Sequence, residues 1–182
     1  MYETVAIGIG ANLGERRATL VGAAHALRAI PHSRNFHFSS LYETRAVDCP
    51  EPLPFLNAAL SFETSLKPRD LLDTLFEIED RFGRRRSYRN MPRLLDLDLL
   101  LYGDRIIEDQ GLLVPHPRLA NRLFVLAPLL DCLDGALVHP VLGRTLAAME
   151  SERRAVEGEH AVQEIRPKEW ADDAIGGQLK DI

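Results

Sequence analysis

Two carboxylates in the middle of the sequence are the first candidates for chemistry. Asp96 and Asp98 interrupt an otherwise apolar run from Leu94 to Tyr102, which predicts a buried strand. Strand side chains alternate between the two faces of a sheet, so we expect both carboxylates on one face. Such a pair is costly to bury unless a cation neutralises it. Mg²⁺ that also binds phosphate oxygens is the simplest candidate.

The segment before this strand is rich in arginine. Six arginines fall within the thirteen residues from 81 to 93: Arg81, Arg84, Arg85, Arg86, Arg89 and Arg93. Guanidinium groups bind phosphate through paired hydrogen bonds, so the two features together predict metal-assisted phosphoryl or nucleotidyl transfer. Each feature alone has a simpler interpretation. An arginine run is commonly a solvated loop, and carboxylates at a strand end commonly cap the backbone or pair with arginine.

The composition of the chain limits the classes of function. With 182 residues, of which 46% are hydrophobic, the chain suits one globular domain. The net charge of −5 disfavours a general nucleic-acid binder, because the positive charge is local. We see no apolar segment long enough for a membrane span and no signal peptide in the first residues. Cys49 and Cys132 lack metal-binding spacing, so we expect free thiols and a cytoplasmic location.

The periodicity of apolar residues predicts a β-α-β-β-α-β order. We expect strands at 4–9, 36–44, 55–66 and 94–102, and helices at 15–30 and 68–82. The glycine-containing segment 10–14 is expected to be a tight turn after the first strand. This order is typical of an α+β, ferredoxin-like sandwich, in which helices pack on one face of an antiparallel sheet.

The second half of the chain is predicted less regularly. We expect a short strand at 105–107, a loop at 112–117 in which two prolines flank His116, helices at 121–130 and 144–150, and a strand at 161–165. Residues 1–165 are predicted to form a single domain. Residues 166–182 are predicted to be a polar, loosely ordered tail.

Seven segments together resemble the 6-hydroxymethyl-7,8-dihydropterin pyrophosphokinase family. They are GIGANLG, SSLYET at 39–44, FLNAAL at 55–60, IEDRFGRRR at 78–86, PRLLDLDLLLYG at 92–103, VPHPRL at 114–119 and NRLFVLAPL at 121–129. The resemblance implies transfer of pyrophosphate from ATP to the hydroxymethyl group of the pterin. The products would be AMP and the pterin diphosphate, an intermediate of folate biosynthesis.

The resemblance also implies a role for each matching residue. Asp96 and Asp98 look like the ligands of two Mg²⁺ ions and, with Arg84 and Arg93, like the catalytic set. The residues expected at ATP are Glu79, Arg84, Arg86, Arg93, Leu99, His116 and Arg122. Those expected at the pterin are Thr44, Val47, Phe55, Asn57, Asp96 and Phe124. Two aromatic rings can stack on a flat bicyclic ring, and an asparagine can both donate to and accept from its amide edge.

Two other classes of function compete with this one. A non-catalytic ferredoxin-like module could use the arginines to bind RNA or a regulatory nucleotide, although the acidic net charge disfavours RNA. A different Mg²⁺-dependent nucleotidyltransferase could use Asp96 and Asp98 in the same way. For the pyrophosphokinase we expect ATP and the pterin as the binding partners, no nucleic-acid or membrane partner, and a monomer.

Overall fold

The computed structural model describes residues 1–44, 54–83 and 94–173. Its strands are β1 (Glu3–Ala11), β2 (Ser33–Phe38), β3 (Leu41–Thr44), β4 (Phe55–Thr64), β5 (Asp96–Tyr102), β6 (Ile107–Asp109), β7 (Leu112–Val114) and β8 (Val162–Arg166). Its helices are α1 (Arg16–Arg28), α2 (Pro68–Arg81), α3 (Leu123–Cys132) and α4 (Leu146–Glu157). Short 3₁₀ turns cover Leu119–Asn121 and Lys168–Asp172.

The main sheet is antiparallel, with β1 in its interior. The strand order is β5-β1-β4-β3-β8, and β2 also pairs with β4. The predicted turn at Gly10 is wrong, because Gly10 and Ala11 continue β1 and pair with β4. β6 and β7 form a separate hairpin, so residues 112–114 are a strand and not the predicted loop. β5 is therefore an edge of the main sheet, in the part of the chain that the structure describes.

Alternation along the strands divides the core into two layers. Val5, Ile7 and Ile9 of β1 pack with buried leucines of α1 and α2 on one face of the sheet. Ala6 packs with apolar residues of α3 and α4 on the other face. The prediction of helices on one face holds for α1 and α2 only. The sequence of α3, LFVLAPLLDC, is almost entirely apolar, and such a helix must be buried.

Local chemistry explains several element boundaries. Pro68 occupies the first turn of α2, and Gly83 follows the helix with a positive φ of 82°. The predicted strand 36–44 is broken at Ser39, whose hydroxyl accepts a hydrogen bond from the Ala59 amide at 2.8 Å. The Thr145 hydroxyl caps α4 by accepting from the Ala148 amide at 3.2 Å, and α4 runs seven residues beyond the predicted end.

Packed structure continues beyond residue 165. Trp170, in the second 3₁₀ turn, is only 2% exposed and packs in the same core as α1. The boundary predicted at 165 therefore falls inside packed structure, and residues 174–182 lie outside the described residues. Among the residues that the structure covers, none of the helices could span a bilayer.

Candidate active site

A row of residues across three strands forms the floor of the candidate site. In the sheet register, Gly10 of β1 lies opposite Asn57 of β4 on one side and opposite Asp96 of β5 on the other. Direct cross-strand partners point to the same face, so Asn57 and Asp96 project from one face with only a glycine between them. A Cβ added at Gly10 would lie 3.4 Å from Asn57 Oδ1. The missing side chain therefore leaves an open floor.

The two carboxylates lie on this face. Asp96 and Asp98 are half-buried, and their neighbours Leu95, just before β5, and Leu97 and Leu99 of β5 pack in the opposite core. Burial raises the pKa of Asp98, and the negative charge of Asp96 raises it further. The expectation that both carboxylates share a face is therefore consistent with the register and the electrostatics.

Two basic side chains face Asp98 without forming a close ion pair. His116 Nε2 lies 4.0 Å from Asp98 Oδ1, and Arg122 Nη1 lies 3.9 Å from Asp98 Oδ2. Both distances exceed those of a hydrogen bond. Burial lowers the pKa of Arg122, and the nearby charge of Arg118 lowers it further. The described residues thus attract Asp98 from a distance but leave room for a cation beside it.

Backbone contacts position His116. Its amide donates to the Leu100 carbonyl at 2.9 Å, which ties the segment after β7 to β5. Its Nδ1 accepts from the Arg118 amide at 3.2 Å, so in the neutral ring the proton is on Nε2, the atom that faces Asp98. Burial lowers the pKa of His116, and the charge of Asp98 opposes this effect.

Arg122 links the carboxylate region to the aromatic region. Its guanidinium carbon lies 5.3 Å from the centre of the Phe124 ring, a cation–π distance, while Nη1 faces Asp98. Arg122 precedes α3, and Phe124 is in its first turn. One helix start therefore presents both residues to the same face of the sheet.

A side-chain hydrogen bond fixes Asn57. Its Nδ2 donates to Thr44 Oγ1 at 2.8 Å, and both residues are buried. Thr44 lies opposite Phe55 in the β3–β4 register, so Phe55, which is half-buried, also projects from this face. Four of the predicted pterin contacts described here, Thr44, Phe55, Asn57 and Asp96, thus share one face, and Phe124 packs against it.

A cleft runs along the open edge of β5. Its volume is about 600 Å³, and its walls include Phe76, Asp98, Leu112, His116 and Arg118. This volume is typical of a pocket for a small molecule. Arg118 was not among the residues predicted from the sequence, although it follows His116 in the segment VPHPRL.

Two residues predicted at ATP, Glu79 and Leu99, have buried side chains, although Leu99 also forms part of the wall of the cleft. Glu79 is fully buried, and its Oε1 accepts a hydrogen bond from the Leu97 amide at 2.8 Å. The side chain of Leu99 is 4% exposed and lies in the core formed with α1 and α2. Both side chains therefore support β5 from the far side of the sheet. Contact of Leu99 with a nucleotide would have to involve its backbone at the strand edge.

Four predicted site residues lie outside the described residues: Val47, Arg84, Arg86 and Arg93. Their roles stay predictions. Within the described ranges, no group of three or more His, Cys, Asp or Glu side chains converges as a complete metal site. The two carboxylates of β5 nevertheless fit Mg²⁺, which commonly binds one or two protein carboxylates and completes its shell with phosphate oxygens and water.

Comparison with known proteins decides the family. Residues 6–134 match the family described as 7,8-dihydro-6-hydroxymethylpterin-pyrophosphokinase. The chain belongs to this family. The matched range includes the floor residues Gly10, Asn57 and Asp96, and also Asp98, His116 and Arg122 of the carboxylate region.

Relatives with this activity in their names cover most of the chain. It is 39% identical over 140 residues to the 2-amino-4-hydroxy-6-hydroxymethyldihydropteridine pyrophosphokinase of Synechocystis, covering 77% of this chain and 71% of the relative. It is 42% identical over 125 residues to the Bacillus subtilis protein of the same name, covering 69% and 75%. The chain spans only 20% of the Pneumocystis carinii folic acid synthesis protein fol1, to which it is 40% identical over 146 residues.

Solved structures share the fold. The crystal structure of Plasmodium falciparum HPPK-DHPS A437G with SDX-DHP has a TM-score of 0.70 and 13% identity, and the match covers 91% of this chain and 49% of that one. The α+β, ferredoxin-like prediction is confirmed. Family membership makes this pyrophosphokinase a transferase of folate biosynthesis with ATP as co-substrate.

Proposed function

We propose that this face of the sheet transfers pyrophosphate from ATP to the hydroxymethyl group of 6-hydroxymethyl-7,8-dihydropterin. The hydroxymethyl oxygen would attack the β-phosphorus, the bond from that phosphorus to the oxygen bridging the α-phosphate would break, and AMP would leave. The observation that carries this proposal is the row Asn57, Gly10, Asp96. It places a group suited to a pterin amide edge on the same floor as a carboxylate suited to the phosphate region.

The pterin is proposed to lie over Gly10, between Asn57 and Asp96. Adjacent strands are ~4.8 Å apart, so these two residues are separated by roughly 10 Å, which suits a bicyclic ring with its hydroxymethyl substituent. The hydrogen bond to Thr44 fixes the Asn57 amide before the ring arrives. Phe55 and Phe124 are proposed to contact the ring from the same side of the sheet.

ATP is proposed to occupy the cleft along β5, with its phosphates towards Asp98, His116 and Arg122. Arg122 and His116 each lie about 4 Å from Asp98, so their positive ends face the space where phosphate oxygens would be held. Arg84, Arg86 and Arg93 are proposed to complete the contacts with the triphosphate. Catalysis would then depend mainly on the positioning of the two substrates and on the neutralisation of charge.

Two Mg²⁺ ions are proposed to bind at Asp96 and Asp98. When bound, such ions neutralise the phosphate charge that builds up during transfer. The raised pKa of Asp98 fits this role, because a nearby cation would favour the ionised carboxylate that burial disfavours. The protein is further proposed to be a monomer in the cytoplasm. Size-exclusion chromatography tests the oligomeric state.

The test is product analysis with matched variants. We expect the protein, given ATP, Mg²⁺ and the pterin, to release AMP and form the pterin diphosphate, identified by mass spectrometry. Asp96→Ala and Asp98→Ala should each lower kcat by about 100-fold or more while the circular dichroism spectrum stays unchanged. Asp104→Ala, which removes an exposed carboxylate after β5, should keep full activity.

Other outcomes would favour the competing functions. Release of free pyrophosphate with an adenylylated acceptor would identify a nucleotidyltransferase. Absence of turnover together with salt-sensitive retention of RNA would identify an RNA-binding module. Near-normal activity of both aspartate variants would remove the metal assignment.

A further inference from the structure

The segment after α4 is attached to the pterin side of the candidate site. We name residues 161–173, which contain β8 and the second 3₁₀ turn, the C-terminal arm. β8 pairs with β3, so it covers the outer edge of the strand that carries Thr44. β3 has only four residues, and β8 converts it from an edge strand into an interior one.

Val162 is the residue of the arm closest to the predicted pterin contacts. It lies opposite Thr44 in the β3–β8 register, so both side chains point to the face that carries Asn57. Val162 is 6% exposed and packs in one apolar cluster with Tyr42 and Leu123, against which Phe124 also packs. Val162 thus belongs to the cluster that joins β3, which carries Thr44, to the start of α3, which carries Phe124.

Polar and aromatic contacts hold the far end of the arm against α1 and against the end of β2 and the residue after it. Trp170 Nε1 donates to the Ser39 carbonyl at 2.8 Å, and its ring meets the Phe38 ring edge-on at 5.8 Å. Arg28 of α1 donates to the Ala171 carbonyl at 2.9 Å. The contacts at Phe38 and Ser39 lie immediately before β3 in the chain. The arm is therefore fixed on both sides of the strand that it covers.

We propose that the C-terminal arm positions the pterin pocket and that Val162 is its positioning residue. By packing opposite Thr44 and in the cluster against which Phe124 lies, Val162 would set the separation between the polar and the aromatic contacts of the ring. This inference rests on the proposed pterin-binding role of this face. The arm is not proposed to contact the reacting atoms.

The test separates pterin binding from stability and from ATP binding. Val162→Ala removes two methyl groups from the cluster, and we expect the KM for the pterin to rise roughly 5- to 20-fold. The KM for ATP should stay within about twofold, because the cleft along β5 lies at the opposite edge of the sheet. Ile165→Ala, which shortens an exposed side chain of the same strand, should change neither KM.

Val162→Thr distinguishes positioning from a purely structural role. Threonine keeps the shape of valine but buries a hydroxyl, so we expect a lower melting temperature with a pterin KM within about twofold of the wild-type value. If Val162→Ala is too unstable to assay, Trp170→Phe is the second variant. It removes the hydrogen bond from the indole to the Ser39 carbonyl at the far end of the arm, and it should raise the pterin KM at least about twofold.

The outcomes are distinguishable. An unchanged pterin KM in the assayed variant, or a pterin KM that simply follows the melting temperature across the series, overturns the positioning role. Failure of the wild-type protein to form pterin diphosphate would instead overturn the proposed function on which this inference rests.

Discussion

Gly10→Ala tests whether the pterin lies on the floor of β1. The substitution adds one methyl group to the face between Asn57 and Asp96. Its carbon would lie 3.4 Å from Asn57 Oδ1, an ordinary contact distance, and Gly10 does not have a positive φ. The folded protein can therefore accept the methyl group without strain. Because glycine in a strand is less stable than alanine, we expect the free energy of unfolding to stay equal or rise by up to about 1 kcal/mol.

The expected effect on function is opposite in sign. A methyl carbon extends ~1.5 Å from Cα, and an aromatic ring contacts carbon at ~3.5–4.0 Å, so a ring lying on the floor would be displaced by roughly 1 Å. A displacement of this size at a reacting group costs about 100-fold in rate, which corresponds to about 2.7 kcal/mol. We therefore expect a protein that is at least as stable as the wild type but nearly inactive.

The assay combines urea unfolding with steady-state kinetics for both substrates. Gly8→Ala is the matched control, since it adds a methyl group to the same strand and face. There the methyl contacts the Leu100 side chain at 3.4 Å, opposite Asp98 and away from Asn57. We expect its KM for the pterin to stay within a few-fold of the wild-type value. Wild-type kcat/KM for the pterin in Gly10→Ala would refute the placement of the ring over Gly10.

Two further predictions concern the groups around β5. Asp98→Asn should raise the melting temperature of the ligand-free protein at pH 7, because the folded state raises the pKa of this carboxyl and so disfavours its charge. The difference should shrink as the pH falls and disappear below about 3, where the carboxyl is protonated in both states, and a variant less stable at pH 7 than the wild type would contradict it. Glu79→Ala should lower the free energy of unfolding, measured by chemical denaturation, by about 1–3 kcal/mol, because the buried Leu97 amide loses its acceptor. Glu79→Gln keeps an acceptor and should lose less stability. Equal losses in the two variants would argue against a role of Glu79 as the acceptor for this amide.

The sequence predicts the first half of the fold well because its elements have clear local signals. The alternation in β1, the proline that begins α2 and the glycine that follows it are properties of neighbouring residues. The sequence predicts a turn at Gly10 because glycine is common in turns. Its continuation of β1 depends on pairing with Leu56 to Ala58 of β4 and with Asp96 of β5, which are distant in sequence.

The site was predictable in its residue types but not in all of its contacts. The spacing of Asp96 and Asp98 was enough to place both carboxylates on one face. Nothing local to Asn57 indicates that its partner is Thr44, thirteen residues away on another strand. The burial of Glu79 and the packing of Trp170 likewise depend on tertiary contacts, with Leu97 and with Ser39, that no local pattern encodes.

The two faces of β1 have different roles, and neighbouring residues of the strand belong to opposite faces. Val5, Ile7 and Ile9 fill the core, whereas Gly10 leaves the opposite surface bare between Asn57 and Asp96. A saturation scan of this strand should consequently give two distinct phenotypes. Changes at Val5, Ile7 and Ile9 would reduce the amount of intact protein in the cell, and Gly10→Ala would leave that amount normal while growth without added folate fails. Substitutions along this one strand would thus separate the residues required for a stable fold from those required to leave space for the substrate.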